Sequence, residues 1–297
     1  MRSRFHILTY FSIEELFVLL LGKVFGSRVS KKFNSLQDRE NKLTIIHQHG
    51  RLIEMVNNNA IVEFSIGSGI YRCQLRLQGS DVWVFNQVIS GGDYQHVLSH
   101  YSQVFKTVPV TIVDAGANIG LATILFKSAN PLANIISIEP DEENHHMALR
   151  NFNLNSLDNV NLVKAALWPV DVKLEVINDF RDKMNWSLRV QENENGNTNS
   201  ITPLKAIDDL GGVVDIFKMD VEGGEAQIFD SRNELSWLSK VKVLAIEIHD
   251  EYNVRSQIID LLRKCDFEIS NYGELTIGTN KTLLARDQQQ SKPKASI

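Results

Sequence analysis

The run Thr111-Ile112-Val113-Asp114-Ala115-Gly116-Ala117-Asn118-Ile119-Gly120 constrains this chain more than any other stretch. An apolar, β-branched segment ends in an acid, a glycine turn follows, and Leu121 to Lys127 then has the spacing of a helix. That succession is the first strand, loop and helix of an open α/β sheet. Asp114 falls at the carboxyl end of the strand, where such sheets bind their ligands. Gly116 and Gly120 have no Cβ, so the backbone there can approach a ligand closely or take a positive φ. A helix beginning near Ile119 turns free N–H groups and its positive dipole end toward an anionic group.

A glycine loop alone is a weak signal, and a turn serving only chain reversal is its plain rival. The next strand arbitrates. Asn134 to Ile138 reads as a second strand and ends in Glu139-Pro140. An acid at that point can accept hydrogen bonds from both hydroxyls of a ribose, which fits a dinucleotide or S-adenosylmethionine. The loop favours the second. It reads Asp-x-Gly-x-Asn-x-Gly rather than Gly-x-Gly-x-x-Gly, and Asp114 would repel a pyrophosphate where it would welcome a methionine amino group. Asp114, Gly116, Asn118, Gly120, Glu139 and Pro140 are therefore candidate cofactor contacts. Ala165 and Ala166, just after a third strand at Asn161 to Lys164, join them. So does Tyr94, at the head of a helix whose N-terminal loop can cover the ligand.

The rest of the chain divides around this unit. Residues 1–42 read as an N-terminal amphipathic helix and a polar linker, the linker from Gly26 to Lys42. Residues 43–105 read as a small antiparallel meander and a lead-in helix: Ile61 to Ile66, Tyr71 to Leu77 and Val82 to Phe85 are short β-prone runs separated by glycine turns. Tyr94, Val97, Leu98, Tyr101 and Phe105 then follow helical spacing. Residues 106–286 form the cofactor-binding domain. Its further strands are Lys173 to Ile177, Val213 to Met219 and Val241 to Ile248, with a helix at Val254 to Lys264. Phe267 to Ser270 and Thr282 to Ala285 are expected to close the sheet as an antiparallel pair. The asparagine-rich stretch Asn185 to Asn199 reads as an exposed loop over the site or one partly disordered, and the tail 287–297 as disordered.

Composition excludes some partners. The net charge is −5 and no long basic run exists, so nucleic acid is not expected as a partner. Cys73 and Cys265 make no metal-ligand spacing and no disulfide framework, which suits buried thiols in a reducing, cytoplasmic setting. Phe5 to Phe25 is strongly apolar, yet Glu14 and Glu15 sit in its middle, and a carboxylate at mid-bilayer costs about 2.5–3.5 kcal/mol. Tyr10, Ile13, Phe17, Leu20, Leu21 and Val24 share one helical face. An amphipathic helix packed on the domain or a partner is expected, with peripheral membrane contact as the alternative.

The chemistry concentrates at two strand ends. In extended chain, Lys218, Asp220 and Glu222 project to one face, and Glu247 and His249 do the same on the last long strand. If these strands are neighbours, five ionisable groups gather beside the Asp114 loop. Like charges that close shift one another's pKa values, which suits a base that deprotonates a hydroxyl. Asp220 also faces the cofactor and is counted among its contacts. The catalytic candidates are His249 or Asp220 as base, Glu222 and Glu247 as grips on acceptor hydroxyls, and Lys218. No metal is assigned, although Asp220, Glu222, Glu247 and His249 have the O and N donors that suit Mg²⁺ or Mn²⁺.

Together, Val113 to Gly120, Ile138-Glu139-Pro140-Asp141, Ile207-Asp208-Asp209-Leu210 and Asp215 to Glu225 resemble the successive motifs of FkbM-type S-adenosylmethionine-dependent methyltransferases. The resemblance runs from about Val82 to Ala285, with one departure at Gly224, where alanine is commoner. It implies a class I methyltransferase fold: an α/β, Rossmann-like, mostly parallel seven-stranded sheet with helices on both faces, here with a small N-terminal β-meander and helical extension. It also implies S-adenosyl-L-methionine as cofactor and O-methylation of a sugar, glycolipid or natural-product hydroxyl. The first ~80 residues lie outside it and are free to carry substrate choice. Two other classes stay open. A nicotinamide-dependent oxidoreductase shares the sheet and Glu139 but needs the other glycine loop. A non-catalytic nucleotide-binding module shares the loop but has no use for the rim acids.

Overall fold

Helical spacing of apolar residues builds the first part of the chain, and in the computed structural model, which describes residues 7–25, 31–177 and 188–290, this part forms a compact unit, 1–91. Helix α1 (Ile13–Phe25) starts at a reciprocal cap: the Glu15 N–H donates to Ser12 Oγ and the Ser12 N–H to Glu15 Oε2, at 3.2 and 2.7 Å. Ile7, Phe11 and Leu19 are buried, while Ile13, Phe17 and Leu20, on the face expected to pack inward, are 87%, 60% and 61% exposed. The expected linker is instead helix α2 (Lys31–His49) from residue 31 onward. Its polar composition hides a buried stripe of Phe33, Leu36, Leu43 and Ile46, and buried Lys42 is satisfied by the Leu77 carbonyl and Asp38.

The meander is present but one run earlier than expected. Strands β1 (Arg51–Val56), β2 (Asn59–Ile66) and β3 (Gly69–Arg76) pair antiparallel in that order. Asn57 and Asn58, both at positive φ, close the first hairpin, which is the chemistry a two-residue primed turn requires. Val82 to Phe85 is not a strand but part of helix α3 (Asp81–Ser90), where Val82, Phe85 and Val88 share the buried side. Four apolar residues cannot by themselves distinguish the two periods.

The second unit, 92–297, contains the large sheet. The unit boundary falls at Gly91-Gly92, so the lead-in helix α4 (Asp93–Phe105) goes with the sheet and not with the meander. It is tied there by Tyr101, whose hydroxyl donates to buried Asp215 at 2.6 Å. In chain order follow β4 (Thr111–Ala115), α5 (Leu121–Ala129), β5 (Asn134–Ile138), α6 (Glu142–Leu154), β6 (Val160–Val163), β7 (Ala165–Leu167), β8 (Lys173–Ile177), β9 (Arg189–Glu192), β10 (Thr198–Ile201), α7 (Pro203–Asp208), β11 (Val214–Met219), α8 (Glu225–Ile228), β12 (Val241–Glu247), α9 (Arg255–Lys264), β13 (Phe267–Tyr272), β14 (Leu275–Asn280) and α10 (Lys281–Gln290).

The seven-stranded sheet has the order β13-β14-β12-β11-β4-β5-β6, and every pairing not involving β14 is parallel. From β4 the chain steps outward through β5 and β6, then returns to place β11 on the other side of β4. This reversal of direction in the strand order opens a crevice at the carboxyl ends of β4 and β11. Buried apolar residues of β4, β5, β11 and β12 form the core with Trp237, Ile258 and Leu262.

Three local expectations fail. The antiparallel partner of β13 is β14, and Thr282 to Ala285 belongs to α10, whose first turn is capped by Asn280 Oδ1 accepting the Leu283 N–H at 3.0 Å. Thr276, Gly278 and Asn280 broke the apolar signal of β14, although all six of its residues are buried. Asn185 to Asn199 is not one loop: its described part holds β9 and the start of β10, which with β7 and β8 form a separate four-stranded sheet, β7-β10-β8-β9. Residues 185–187 lie outside the described residues. Of the tail, Asp287 to Gln290 continues α10, and 291–297 also lie outside the described residues.

Candidate functional site

The register β11–β4 sets Lys218 beside Asp114 and Met219 beside Ala115, so the two strands end together at the crevice. Just beyond, the Asp220 N–H donates to the Ala115 carbonyl at 3.1 Å. Gly116 sits at φ +76°, and a Cβ there would stand 1.7 Å from the Asp220 carbonyl oxygen. Glycine is required at this point because two strand ends cross at backbone contact.

A pocket opens there. Gly116, Asn118, Glu139, Pro140, Ala166, Asp220 and Glu222 line it. Glu139 is its best-defined polar group. Its Oε2 accepts the Asn118 N–H at 2.7 Å and its Oε1 the Asp141 N–H at 2.9 Å. Burial pushes its carboxyl up to about 7, although both N–H groups pull the other way. Asp141 caps α6 by accepting the Asn144 N–H at 2.9 Å, and Asn144 lines the same wall.

Asp114 stands elsewhere. It is fully buried and does not line the pocket. Its Oδ2 accepts from Thr123 at 2.7 Å, and its Oδ1 lies 3.2 Å from Lys218 Nζ. Lys218, also buried, donates to the Gly116 and Ala115 carbonyls at 2.6 and 3.2 Å. The pair thus clamps the glycine loop from behind. Lys218 stays charged: burial would lower its pKa, but Tyr94, Asp114 and Asp220 raise it above the ordinary lysine value. Tyr94 is buried with its ring 5.8 Å from Lys218 Nζ, Ala165 is buried beside the pocket-lining Ala166, and none of these lines the pocket. Gly120, at φ +83°, is held for packing, since a Cβ there would meet Phe152 at 2.5 Å.

The rim acids do gather. Asp220, Glu222 and His249 offer ligand atoms all within 4.8 Å of one another, and Glu247 Oε1 lies 3.9 Å from His249 Nε2. They also straddle two spaces. Asp220 and Glu222 line the first pocket, whereas Glu247 and His249 line a second groove with Asp250, Arg255, Asn271 and Glu274. Asp220 and burial raise the Glu247 carboxyl to about 8. Burial would lower the His249 pKa, but the Glu225 carboxylate beside it, with Asp220 and Glu222, raises it to about 9.

Glu225 is the residue that sequence reasoning missed. It is buried, accepts the Val221 N–H at 3.1 Å, and sits 3.2 Å from His249 Nδ1 through both oxygens. Its place in the same short acidic run as Asp220 and Glu222, at the start of α8, was the available signal. The apolar walls from Leu167, Leu188, Val190 and Val221 were likewise unforeseen, because three of them come from the small sheet or its approach.

The family model for the methyltransferase FkbM domain matches residues 114–269, more than half of the 297-residue chain. Among characterised proteins the chain is similar to methyltransferase sdnD of Sordaria araneosa, with 27% identity over 213 residues, 60% of this chain and 82% of that one. Among solved structures it is similar to a methyltransferase from Geobacter sulfurreducens, at 17% identity and TM-score 0.37, covering 63% of this chain and 79% of that one. The plantazolicin methyltransferase BpumL, solved in complex with SAH, shows 15% identity and TM-score 0.32. There the match covers 70% of this chain and 60% of BpumL.

Proposed function

The chain belongs to the methyltransferase FkbM domain family, and on that premise we propose that it transfers a methyl group from S-adenosylmethionine to a hydroxyl of a sugar, glycolipid or natural product. The observation that carries the reading is Glu139. A buried carboxylate at the end of the second strand spends one lone pair of each oxygen on a backbone N–H and turns toward a pocket. The remaining lone pairs match the two hydroxyls of a ribose. Ile138, Leu167, Val190 and Val221 supply apolar walls for a purine, and Asn118 and Asn144 supply polar edges. S-adenosylmethionine, when bound, supplies an electrophilic methyl group.

The chain's own part in the reaction is positioning and proton removal. Methyl transfer to oxygen is an in-line displacement, and holding the acceptor in line supplies several kcal/mol, about 7–11 in the best intramolecular cases. A placed base adds about 10²–10⁴-fold. Asp220, or His249 in the neutral form that prevails above its raised pKa of about 9, takes the hydroxyl proton, while Glu222 on the pocket and Glu247 on the groove grip neighbouring hydroxyls. His249→Ala and Asp220→Asn are expected to keep affinity for S-adenosylhomocysteine within a few-fold, with kcat lower by at least ~10² in one of them. Near wild-type turnover in both would make the rim cluster structural. Calorimetry with NAD in parallel tests the oxidoreductase alternative, which a bound NAD and an unbound S-adenosylhomocysteine would favour.

Among the described residues no helix is long and apolar enough to cross a membrane. A peripheral role for α1 is part of the same proposal, supported by the exposed stripe of Ile13, Phe17 and Leu20, which suits a lipid-linked acceptor.

A further inference from the structure

We propose that Asp220, Glu222 and His249 form a site for one divalent cation of the Mn²⁺ or Mg²⁺ class, with Glu225 as the residue that orients the histidine. Its role toward an acceptor hydroxyl rests on the reading above; the site itself does not. Ligands about 2.1 Å from a common octahedral centre stand roughly 3.0–4.2 Å apart, so three donor atoms within 4.8 Å of one another need only a small contraction to share an ion.

The histidine carries the argument beyond a cluster of acids. His249 is 2% exposed, and its Nε2 has no hydrogen-bond partner. That atom is aimed into the carboxylates, 3.4 Å from Glu222 Oε2 and 3.9 Å from Glu247 Oε1. The other ring nitrogen, Nδ1, faces both oxygens of the buried Glu225 at 3.2 Å. A carboxylate can only accept, so Nδ1 carries the proton and the lone pair of a neutral ring lies on Nε2, toward Asp220 and Glu222. This carboxylate–histidine arrangement is how proteins orient an imidazole ligand and raise its basicity.

Charge points the same way. Asp220, Glu222, Glu225 and Glu247 surround one imidazole. Lys218, 3.9 Å from Asp220, is already paired with Asp114 and two carbonyls. Partly buried negative charge in that excess calls for a cation. Two carboxylates and one imidazole suit Mn²⁺ better than Ca²⁺, which prefers oxygen donors, and better than a thiolate-seeking metal. The ion would sit between the cofactor pocket and the second groove, with open positions for a hydroxyl or diol.

The test uses the full chain, stripped with chelator and desalted, titrated with MnCl₂ by calorimetry and followed by the Mn²⁺ paramagnetic resonance signal. Affinity for S-adenosylhomocysteine is measured on the same samples. The expected result is one Mn²⁺ site, weakened at least tenfold in His249→Ala and in the partly exposed Glu222→Gln. Glu225→Gln is expected to weaken it about 10- to 100-fold and to change the resonance line shape. No saturable Mn²⁺ binding, or binding unchanged in both His249→Ala and Glu222→Gln, overturns the site and makes the cluster a proton-filled cage. If S-adenosylhomocysteine binds while Mn²⁺ does not, only the cation site falls. If Mn²⁺ binds and S-adenosylhomocysteine does not, the cation site stands and the cofactor reading falls.

Discussion

Replacing Glu139 by glutamine is the sharpest probe of this pocket, because the change keeps shape and alters only charge and hydrogen bonding. In the wild type each carboxylate oxygen accepts a backbone N–H, from Asn118 at 2.7 Å and from Asp141 at 2.9 Å. A glutamine must turn its NH₂ toward one of these donors, so one N–H loses its acceptor and one ribose hydroxyl loses a charged partner. A hydrogen bond to a charged group is worth about 1.5–3 kcal/mol, so S-adenosylhomocysteine affinity should fall about 10- to 150-fold. A pH dependence accompanies it. Burial lifts the Glu139 carboxyl to about 7, so the protonated form gains as pH drops below that value. If only the carboxylate binds well, apparent affinity falls about tenfold from pH 8 to pH 6. The same titration in Glu139→Gln should be flat across that range. Calorimetry at pH 6, 7 and 8 on both proteins reads all of this. Wild-type affinity that does not move with pH, together with a variant within twofold of it, would refute the assignment of Glu139 to the ligand.

Asp114→Asn should act on stability before affinity: removing one partner of a buried ion pair costs about 3–5 kcal/mol, read from urea unfolding. Lys218→Met should cost a similar amount, and the double variant less than the sum; strict additivity would show that the pair is not a unit. Ile13→Ser, Phe17→Ser and Leu20→Ser together should abolish co-sedimentation with anionic liposomes without changing S-adenosylhomocysteine affinity. A wild-type chain that stays in the supernatant would end the membrane reading of α1.

The sheet was legible in the sequence because its signals are local. The strand β4 and the glycine turn after it were legible from Thr111 to Gly120, since a β-branched run followed by glycines at positive φ marks a strand end and a turn. The place of Glu139 on a pocket follows from its position at a strand end, because strand ends and crevice rims coincide in an open α/β sheet. Residue patterns could not say which acid opens on the pocket. Asp114 and Glu139 look alike in sequence, yet one is sealed against Lys218 and the other opens on the pocket, because β11 lies beside β4 and brings its lysine with it. The same holds for His249. Its side of the strand follows from alternation, but its partner Glu225 comes from another element, 24 residues away in sequence. Burial and proximity of charged groups are set by which strands become neighbours, and that is decided by the packing of the whole sheet and not by any stretch of chain within it.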